Sequence, residues 1–120
     1  MSIELSIEGN IPVKKNKQRR GQHGGIYKHA DVRAYEEIFA WEAIRQRPQP
    51  VRGPFAISGT FRLKSTKDVD GTLTTILDCL QQCELIDNDK MLTVIRDVRK
   101  VVISAKEVES VKILVEPVLA

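Results

Sequence analysis

Acidic side chains in the middle of the chain have the types and the spacing of ligands for a hard metal ion. Asp68 and Asp70 lie two residues apart at the end of a predicted strand, and a second cluster, Asp87, Asn88 and Asp89, follows the next helical segment. Side chains two apart on a strand point the same way, with Cα atoms about 6.6 Å apart at a rise of ~3.3 Å per residue. If the helix packs back on the sheet, Asp89 returns towards Asp68 and Asp70, and we expect the three carboxylates to converge.

Converging carboxylates need a cation between them. Two unit charges about 4 Å apart repel by ~4 kcal/mol at an effective dielectric of about 20, so such a cluster either takes up protons or binds metal. Oxygen ligands without His or Cys favour Mg²⁺ or Mn²⁺ over zinc. The ion would screen a phosphate from the acids, polarise the phosphorus and generate hydroxide from bound water, so these residues predict hydrolysis of a phosphodiester.

A structural explanation of the same residues stays open. Asp70 could cap the helix that follows it, and residues 87–89 could form a polar turn, because Asp, Asn and Gly favour such positions for reasons unrelated to chemistry. A calcium-binding loop is excluded, because Leu73 and Ile76 stand where oxygen ligands should continue and no bidentate Glu closes the loop.

The distribution of charge favours a polyanionic partner. The net charge is only +3, but residues 1–67 hold 13 bases and 6 acids, whereas residues 68–120 hold 6 bases and 10 acids. Five of the bases lie within residues 14–20, which predicts a basic, mobile loop. Contact with nucleic acid and simple solvation of a charged loop both remain open for this segment.

The hydrophobic pattern predicts the elements that position these groups. Alternating apolar residues predict strands over residues 2–8 and about 55–65, with Gly59 as a bulge. Helical spacing predicts helices over about 31–47 and 71–82, and β-branched runs over 94–103 and 111–118 predict a hairpin. The order β-α-β-α-β-β, with the basic loop after the first strand, predicts an α/β domain of the α+β type with a mixed or mostly antiparallel sheet.

Length and composition limit the classes of protein. At 120 residues we expect a single domain over residues 1–120 with a real core. No apolar run approaches the ~20 residues that span a bilayer, and the acidic start does not fit a signal peptide, so we expect a cytoplasmic protein without a membrane partner. Cys79 and Cys83 are expected to be small apolar residues of a helix rather than a disulfide or a zinc site.

The acidic region also carries a recognisable pattern. Residues 67–73 read Lys, Asp, Val, Asp, Gly, Thr and Leu, residues 77–80 read Leu, Asp, Cys and Leu, and residues 85–89 read Leu, Ile, Asp, Asn and Asp. This pattern resembles the RusA family of Holliday-junction resolvases, which has Asp-x-Asp-Asn-Leu, a helix with Asp-x-Leu and an Asp pair before a strand. The family's Pro-containing loop rich in Asn and bases is matched loosely by residues 11–17.

The resemblance implies a single RusA-like endonuclease domain, its reaction and its partner. Asp68, Asp70 and Asp89 would bind Mg²⁺ and act as the catalytic residues, and no small-molecule cofactor is implied. A homodimer would present two such sites to the two strands of a four-way DNA junction that must be cut. The protein would then be a cytoplasmic, bacterial or phage-encoded resolvase. The residues that would contact DNA are Lys14, Lys15, Asn16, Lys17, Arg19, Arg20 and Lys67.

Two positions depart from the family pattern. Gly71 stands where Asn usually follows the second Asp, and Thr74 stands where a helix Lys is expected. That Lys would offset charge that develops on the phosphate, which Thr cannot do. Our hypothesis is that another base replaces it, with Lys67, Lys90, Lys14, Lys15 and Lys100 as the candidates. The competing hypothesis is that cleavage is slow or lost.

Three functions therefore remain. The first is a Mg²⁺-dependent, structure-selective endodeoxyribonuclease that resolves Holliday junctions by paired cuts, and the second is a branched-DNA binding protein of the same fold with weak or lost cleavage. The third is an interaction module whose acids are only turns and caps. His23 and His29 are expected to be surface residues, and Trp41 a packing or dimer contact.

Overall fold

The computed structural model describes residues 2–13, 18–20, 26–28 and 30–118 and has the predicted α+β class. Its two helices are α1 (Ala30–Gln46) and α2 (Val69–Gln82), and a 3₁₀ turn spans Asp89–Met91. Its strands are β1 (Ile3–Glu8), β2 (Gln18–Arg20), β3 (Ile26–Lys28), β4 (Phe55–Lys64), β5 (Leu92–Ile103) and β6 (Ser110–Pro117). No helix within these residues is long and apolar enough to cross a membrane.

Four strands form a mixed sheet in the order β1-β6-β4-β5. β6 lies antiparallel to both β1 and β4, whereas β4 and β5 run parallel. The predicted hairpin of residues 94–103 and 111–118 is therefore wrong, because β4 lies between β5 and β6. Strand propensity identified both strands correctly, but a parallel pair needs a crossover connection, and that crossover is α2.

The segment predicted as a loop over residues 14–20 is partly a strand. β2 pairs antiparallel with β3, with Arg19 opposite Tyr27. Residues 14–17, together with His23 and His29, lie outside the described residues. Charge and glycine content pointed to a loop, whereas a three-residue strand is too short to leave a periodic signal in the sequence.

Both helices pack on one face of the sheet and enclose the core. β1 alternates buried and exposed residues along its whole length, as the sequence predicted. Tyr35 and Phe39 of α1 and Ile76 and Leu80 of α2 join the apolar residues of β1, β4 and β6 in the buried cluster. Trp41, by contrast, is 70% exposed on α1. The prediction that it packs in the core is therefore wrong for the described residues, and the prediction of a dimer contact stays a prediction.

The two edges of the sheet differ in how they are covered. At the β1 edge, the Gln46 side chain accepts a hydrogen bond from the Ser6 N–H and donates one to the Ser6 carbonyl, at 3.1 and 2.8 Å. The last residue of α1 therefore satisfies the backbone that an edge strand leaves unpaired. β5 forms the opposite edge.

Gly59 is the point of closest approach inside the sheet. The register of β4 and β5 shifts between Ile57 and Gly59, but the extra residue lies on β5, where Arg96 and Asp97 stand against Ser58 alone. The prediction of a bulge at Gly59 itself is therefore wrong. A Cβ atom on Gly59 would lie 2.6 Å from the backbone oxygen of Lys112 and 3.2 Å from the Cα of Ile113. Because backbone atoms cannot turn aside as a side chain can, only glycine fits here without displacement of β6.

We expect Gly59→Ala to lower the free energy of unfolding by about 2 kcal/mol, because the methyl group overpacks the sheet against a fixed backbone. Ser58→Ala, one residue earlier on the same strand, is the matched control and should change stability little. Urea unfolding of both variants tests this, and equal midpoints for Gly59→Ala and the wild type would contradict it.

Candidate functional site

Asp68 and Asp70 lie at the N-terminus of α2 rather than on a strand. Asp68 is the N-cap residue, with extended backbone angles of φ −92° and ψ 141°, and its carbonyl accepts the Thr72 N–H at 3.3 Å. Its side chain makes no capping hydrogen bond. The N-cap residue is thus Asp68, and the prediction that Asp70 caps the helix is wrong. The Asp68 carboxylate accepts no hydrogen bond from the first backbone N–H groups of α2.

Asp70 lies in the first turn of the helix. Its Oδ1 accepts the Gly71 N–H at 2.9 Å, and the residue is exposed, as Asp68 is. Both side chains lie at the helix N-terminus, where the first backbone N–H groups carry a partial positive charge. The two acids thus present an exposed anionic pair at one end of α2.

Asp89 lies at the other end of α2. Its backbone N–H donates to Oε1 of Gln81 at 3.1 Å, and Gln81 is in the last turn of that helix. The helix from Asp70 to Gln81 rises about 17 Å at ~1.5 Å per residue. The expected convergence of the three carboxylates within one chain is therefore wrong.

The parallel pairing of β4 and β5 is the physical reason. α2 leaves the end of β4 and must return to the beginning of β5, which pairs with the beginning of β4 through Leu92 and Phe55. The helix therefore runs against both strands, and the loop that follows it reaches the opposite end of the sheet. Within the described part of the chain, no group of three or more His, Cys, Asp or Glu residues is placed to hold a metal ion.

Asp87 has a structural role in the second acidic cluster. Its carboxylate accepts the Gly53 N–H at 2.8 Å and the Arg52 guanidinium at 3.0 Å. These two hydrogen bonds lower the pKa of Asp87 from its ordinary value, with the Gly53 bond the stronger cause. Asp87 thus has a structural role, but through contacts distant in sequence rather than through a turn, because it links the residues before β4 to the loop after α2.

A buried carboxylate that the sequence did not single out organises the other end of the sheet. Glu109 has a fully buried side chain, and its Oε1 accepts from Lys67 Nζ at 2.5 Å and from the Ile11 N–H at 2.9 Å. Its Oε2 accepts from the Lys64 N–H at 2.9 Å. Burial opposes the charged form, but the hydrogen bonds from Lys67, Lys64 and Ile11 outweigh it and hold the pKa of Glu109 below its ordinary value.

Lys67, which was expected to contact DNA, belongs to this anchor. Its ammonium also donates to the Ile11 carbonyl at 2.6 Å, and its side chain is only 25% exposed. Its side chain points towards the protein because a buried glutamate needs a cation as its partner. That partner lies 42 positions away, so the residues around Lys67 in the sequence do not predict it. The Lys67 ammonium is therefore engaged within the protein, and its contact with phosphate stays a prediction.

The same anchor fixes where the basic segment begins. The Thr75 hydroxyl of α2 donates to the Pro12 carbonyl at 2.6 Å, next to the bonds that Lys67 and Glu109 make with Ile11. The chain therefore enters residues 14–20 beside the first turns of α2. Among those residues, Arg19 and Arg20 lie on β2.

Lys100, one of the candidate replacement bases, contacts the backbone of the residue that directly precedes Asp68. Its Nζ donates to the Lys67 carbonyl at 2.6 Å and to the Ser65 carbonyl at 3.1 Å. Lys90 instead follows Asp89 in the 3₁₀ turn. Thr74 is exposed, and its hydroxyl donates to the Asp70 carbonyl at 3.0 Å.

We expect Glu109→Gln to lower the free energy of unfolding by ~3 kcal/mol at neutral pH, because it leaves the Lys67 ammonium without its anion. The folded pKa of Glu109 is lowered, so its stabilisation is present above the ordinary Glu pKa of about 4.3 and is lost as the pH falls through the folded value. The difference in the free energy of unfolding between Glu109→Gln and the wild type should therefore become smaller in acid. Denaturant unfolding at several pH values measures this, with the exposed Glu107→Gln as the control; a gap that stays constant in acid would contradict it.

The described site thus has an exposed carboxylate pair on an anchored turn, the entrance to a basic segment beside it and a third acid at the far end of the sheet. No protein-family model matches this chain, and no curated protein matches it either.

Proposed function

We propose that this chain is a Mg²⁺-dependent endonuclease that cuts branched DNA, and that it acts on four-way junctions as the RusA resemblance suggests. The observation that carries the proposal is the exposed pair Asp68 and Asp70 at the N-terminus of α2, in which the Asp68 carboxylate makes no cap. If the Asp68 carboxylate accepted a capping hydrogen bond from its own helix, fewer of its lone pairs would remain for a metal ion. An N-cap acid left uncommitted by its own helix is better explained as a ligand.

The donor set of this pair fits Mg²⁺. This ion is usually held by one or two carboxylates together with waters and the phosphates of its substrate, so a preformed cluster of three acids is not required. Bound there, it would activate a water and stabilise charge on the scissile phosphate. Asp68 and Asp70 would hold and orient the ion.

The anchor around Glu109 supports the position of the DNA. It fixes the turn before Asp68 and the entrance to the basic segment in one hydrogen-bonded unit. Bases that start from this entrance would bind phosphates that flank the cut without approaching the buried core. The proposed DNA contacts are Lys14, Lys15, Asn16, Lys17, Arg19 and Arg20.

Asp89 can join this pair only from a second copy of the chain, because α2 separates the two within one copy. The homodimer that the resemblance implies would supply it. We therefore keep Asp89 as a proposed ligand, contributed in trans. The base that offsets transition-state charge is proposed to be Lys100, whose ammonium lies against the Lys67 carbonyl next to Asp68.

Asp70→Asn should abolish Mg²⁺-dependent nicking of a fixed four-way junction and should leave junction binding intact or tighter, because it removes a metal ligand and one negative charge. Glu84→Gln, an exposed acid just beyond the other end of α2, is the matched control and should cut as the wild type does. A gel shift at stated salt measures binding separately. Unchanged cutting by Asp70→Asn refutes the proposal, and binding without any cutting by the wild type would support the second function, a branched-DNA binding protein.

The role of Asp89 is tested by mixing variants. Asp70→Asn and Asp89→Asn should each be inactive alone, and a refolded mixture should recover part of the activity, because a mixed dimer has one complete site. Recovery requires a site that two chains share. If Asp89→Asn alone cuts normally, the site consists of Asp68 and Asp70 without it.

Lys100→Met should slow single-turnover cutting by a hundredfold or more, on the scale of one lost electrostatic group. Lys112→Met, which changes an exposed lysine in the middle of β6, is the control and should have little effect. The double variant Thr74→Lys with Lys100→Met should recover activity, because it restores the base at the position where the family carries one. Normal cutting by Lys100→Met would exclude this base, and a large gain from Thr74→Lys in the wild type would mean that no base replaces the helix Lys.

A further inference from the structure

The face of the sheet opposite the two helices carries bases at the end where β4 stops. Along β4, Phe61 and Leu63 point into the core. Arg62 and Lys64 therefore point to the opposite face, because successive side chains of a strand alternate between faces. Arg62 is exposed and Lys64 is partly exposed. This side of the sheet is called the open face below.

The connection between β5 and β6 brings a third base to the same corner. Its residues 104–107 form a turn, and this turn is held against Arg62, whose guanidinium donates to the Glu107 carboxylate at 2.9 Å. Lys106 lies in the turn and is exposed. Arg62, Lys64 and Lys106 together are called the open-face rim.

The open-face rim has more positive than negative charge. Among the ion pairs of the described residues, none includes Lys64 or Lys106. Glu107 neutralises Arg62, but the two side chains are 50 and 48% exposed, and an exposed pair of this kind contributes little stability. Arg62 can therefore exchange this carboxylate for another anion.

The open-face rim also lies close to the proposed metal ligands. The Lys67 N–H donates to the Lys64 carbonyl at 3.1 Å, so residues 64–67 form one tight turn that ends directly before Asp68. The buried Glu109 carboxylate accepts hydrogen bonds from the Lys64 N–H and from the Lys67 ammonium. The same anchor therefore fixes Lys64 relative to the exposed acid pair.

The basic segment and the open-face rim lie on different sides of the acid pair. The chain enters residues 14–20 beside α2, where the Pro12 carbonyl accepts from Thr75, and α2 packs on the core face of the sheet. The open-face rim lies on the other face. A DNA strand whose scissile phosphate sits at Asp68 and Asp70 continues in both directions from the cut. The entrance of the basic segment serves one direction, and the open-face rim serves the other.

We propose that the open-face rim binds the phosphates of the cut DNA strand on the side away from the basic segment. This inference rests on the proposed endonuclease function and adds bases that the sequence did not single out. Three cations at one corner match the repeated negative charge of a nucleic-acid backbone. The open-face rim has no aromatic side chain, so it contacts phosphates without stacking on bases and acts independently of base sequence.

The salt dependence of binding to a fixed four-way junction, measured without Mg²⁺ so that the junction stays uncut, tests the open-face rim. Lys64→Gln and Lys106→Gln should each lower the slope of log K against log salt by about 0.9, the value for one phosphate contact, and the double variant by about twice that amount. Lys112→Gln is the matched control, because Lys112 is an exposed lysine of the same face opposite Thr60. Thr60 lies about 13 Å from Lys64 along β4 at ~3.3 Å per residue, so the control should keep the wild-type slope.

Glu107→Gln should act in the opposite direction. It releases the Arg62 guanidinium and removes one negative charge from the corner, so junction binding should become tighter. Glu116→Gln is its control, because it breaks the exposed pair with Arg96 on the same face, far from the open-face rim, and should not tighten binding. Lys64→Arg keeps the charge and should bind as the wild type does. A defect that Lys64→Arg shared with Lys64→Gln would contradict a contact made by charge.

Neutral methylphosphonates identify the side of the cut that the open-face rim contacts. Each replaces one phosphate next to the cut and removes a single negative charge. On one side of the cut, the replacement should weaken binding of the wild type and leave the double variant unchanged, because that contact is already absent. On the other side, it should weaken both proteins equally.

The outcomes separate this inference from the proposed function. Circular dichroism establishes that each variant is folded. A wild type that binds and cuts the junction, together with unchanged slopes for Lys64→Gln and Lys106→Gln, overturns the open-face rim and leaves the proposed function standing. An equal loss in Lys112→Gln also overturns it, because the effect would then be general attraction between DNA and a basic protein. A wild type that neither binds nor cuts the junction overturns both.

Discussion

The parallel pairing of β4 and β5 is the constraint on which the rest of the structure depends. Parallel strands cannot be joined by a turn, so the chain crosses over through α2 and covers the core on its way. This crossover places the beginning of α2 and its two acids at one end of the sheet and the loop with Asp89 at the other. It also leaves β5 as an edge, because β4 is already paired with β6 on its other side.

The ion pair between Lys67 and Glu109 holds three connecting segments together. Glu109 comes from the segment between β5 and β6, Lys67 from the turn before α2 and Ile11 from the chain after β1. These three segments are distant in sequence. The buried Glu109 carboxylate takes hydrogen bonds from Lys67 and from the Ile11 N–H. An arrangement of the three segments that removed these donors would leave the buried charge without a partner, which is strongly destabilising.

The sequence predicted the elements well and their connections poorly. Hydrophobic period and strand propensity located β1, β4, β5, β6 and both helices to within about two residues of the observed ends, which is the accuracy that local patterns support. Pairing depends on contacts between distant residues, so the order of the strands was inaccessible, and a hairpin was the simpler prediction for two neighbouring strands.

The candidate site shows the same division. Asp68 and Asp70 stand out by residue type and spacing, but they lie exposed at the start of α2 rather than at the end of a strand, and their role as metal ligands stays a prediction. Their convergence with Asp89 was wrong because it depended on the direction of β5. Glu109 was missed because a lone acid beside a strand resembles a surface residue until its three donors are known, and the ion pair that it forms with Lys67 was missed for the same reason. A Lys directly before an acidic motif carries no signal that it points inward.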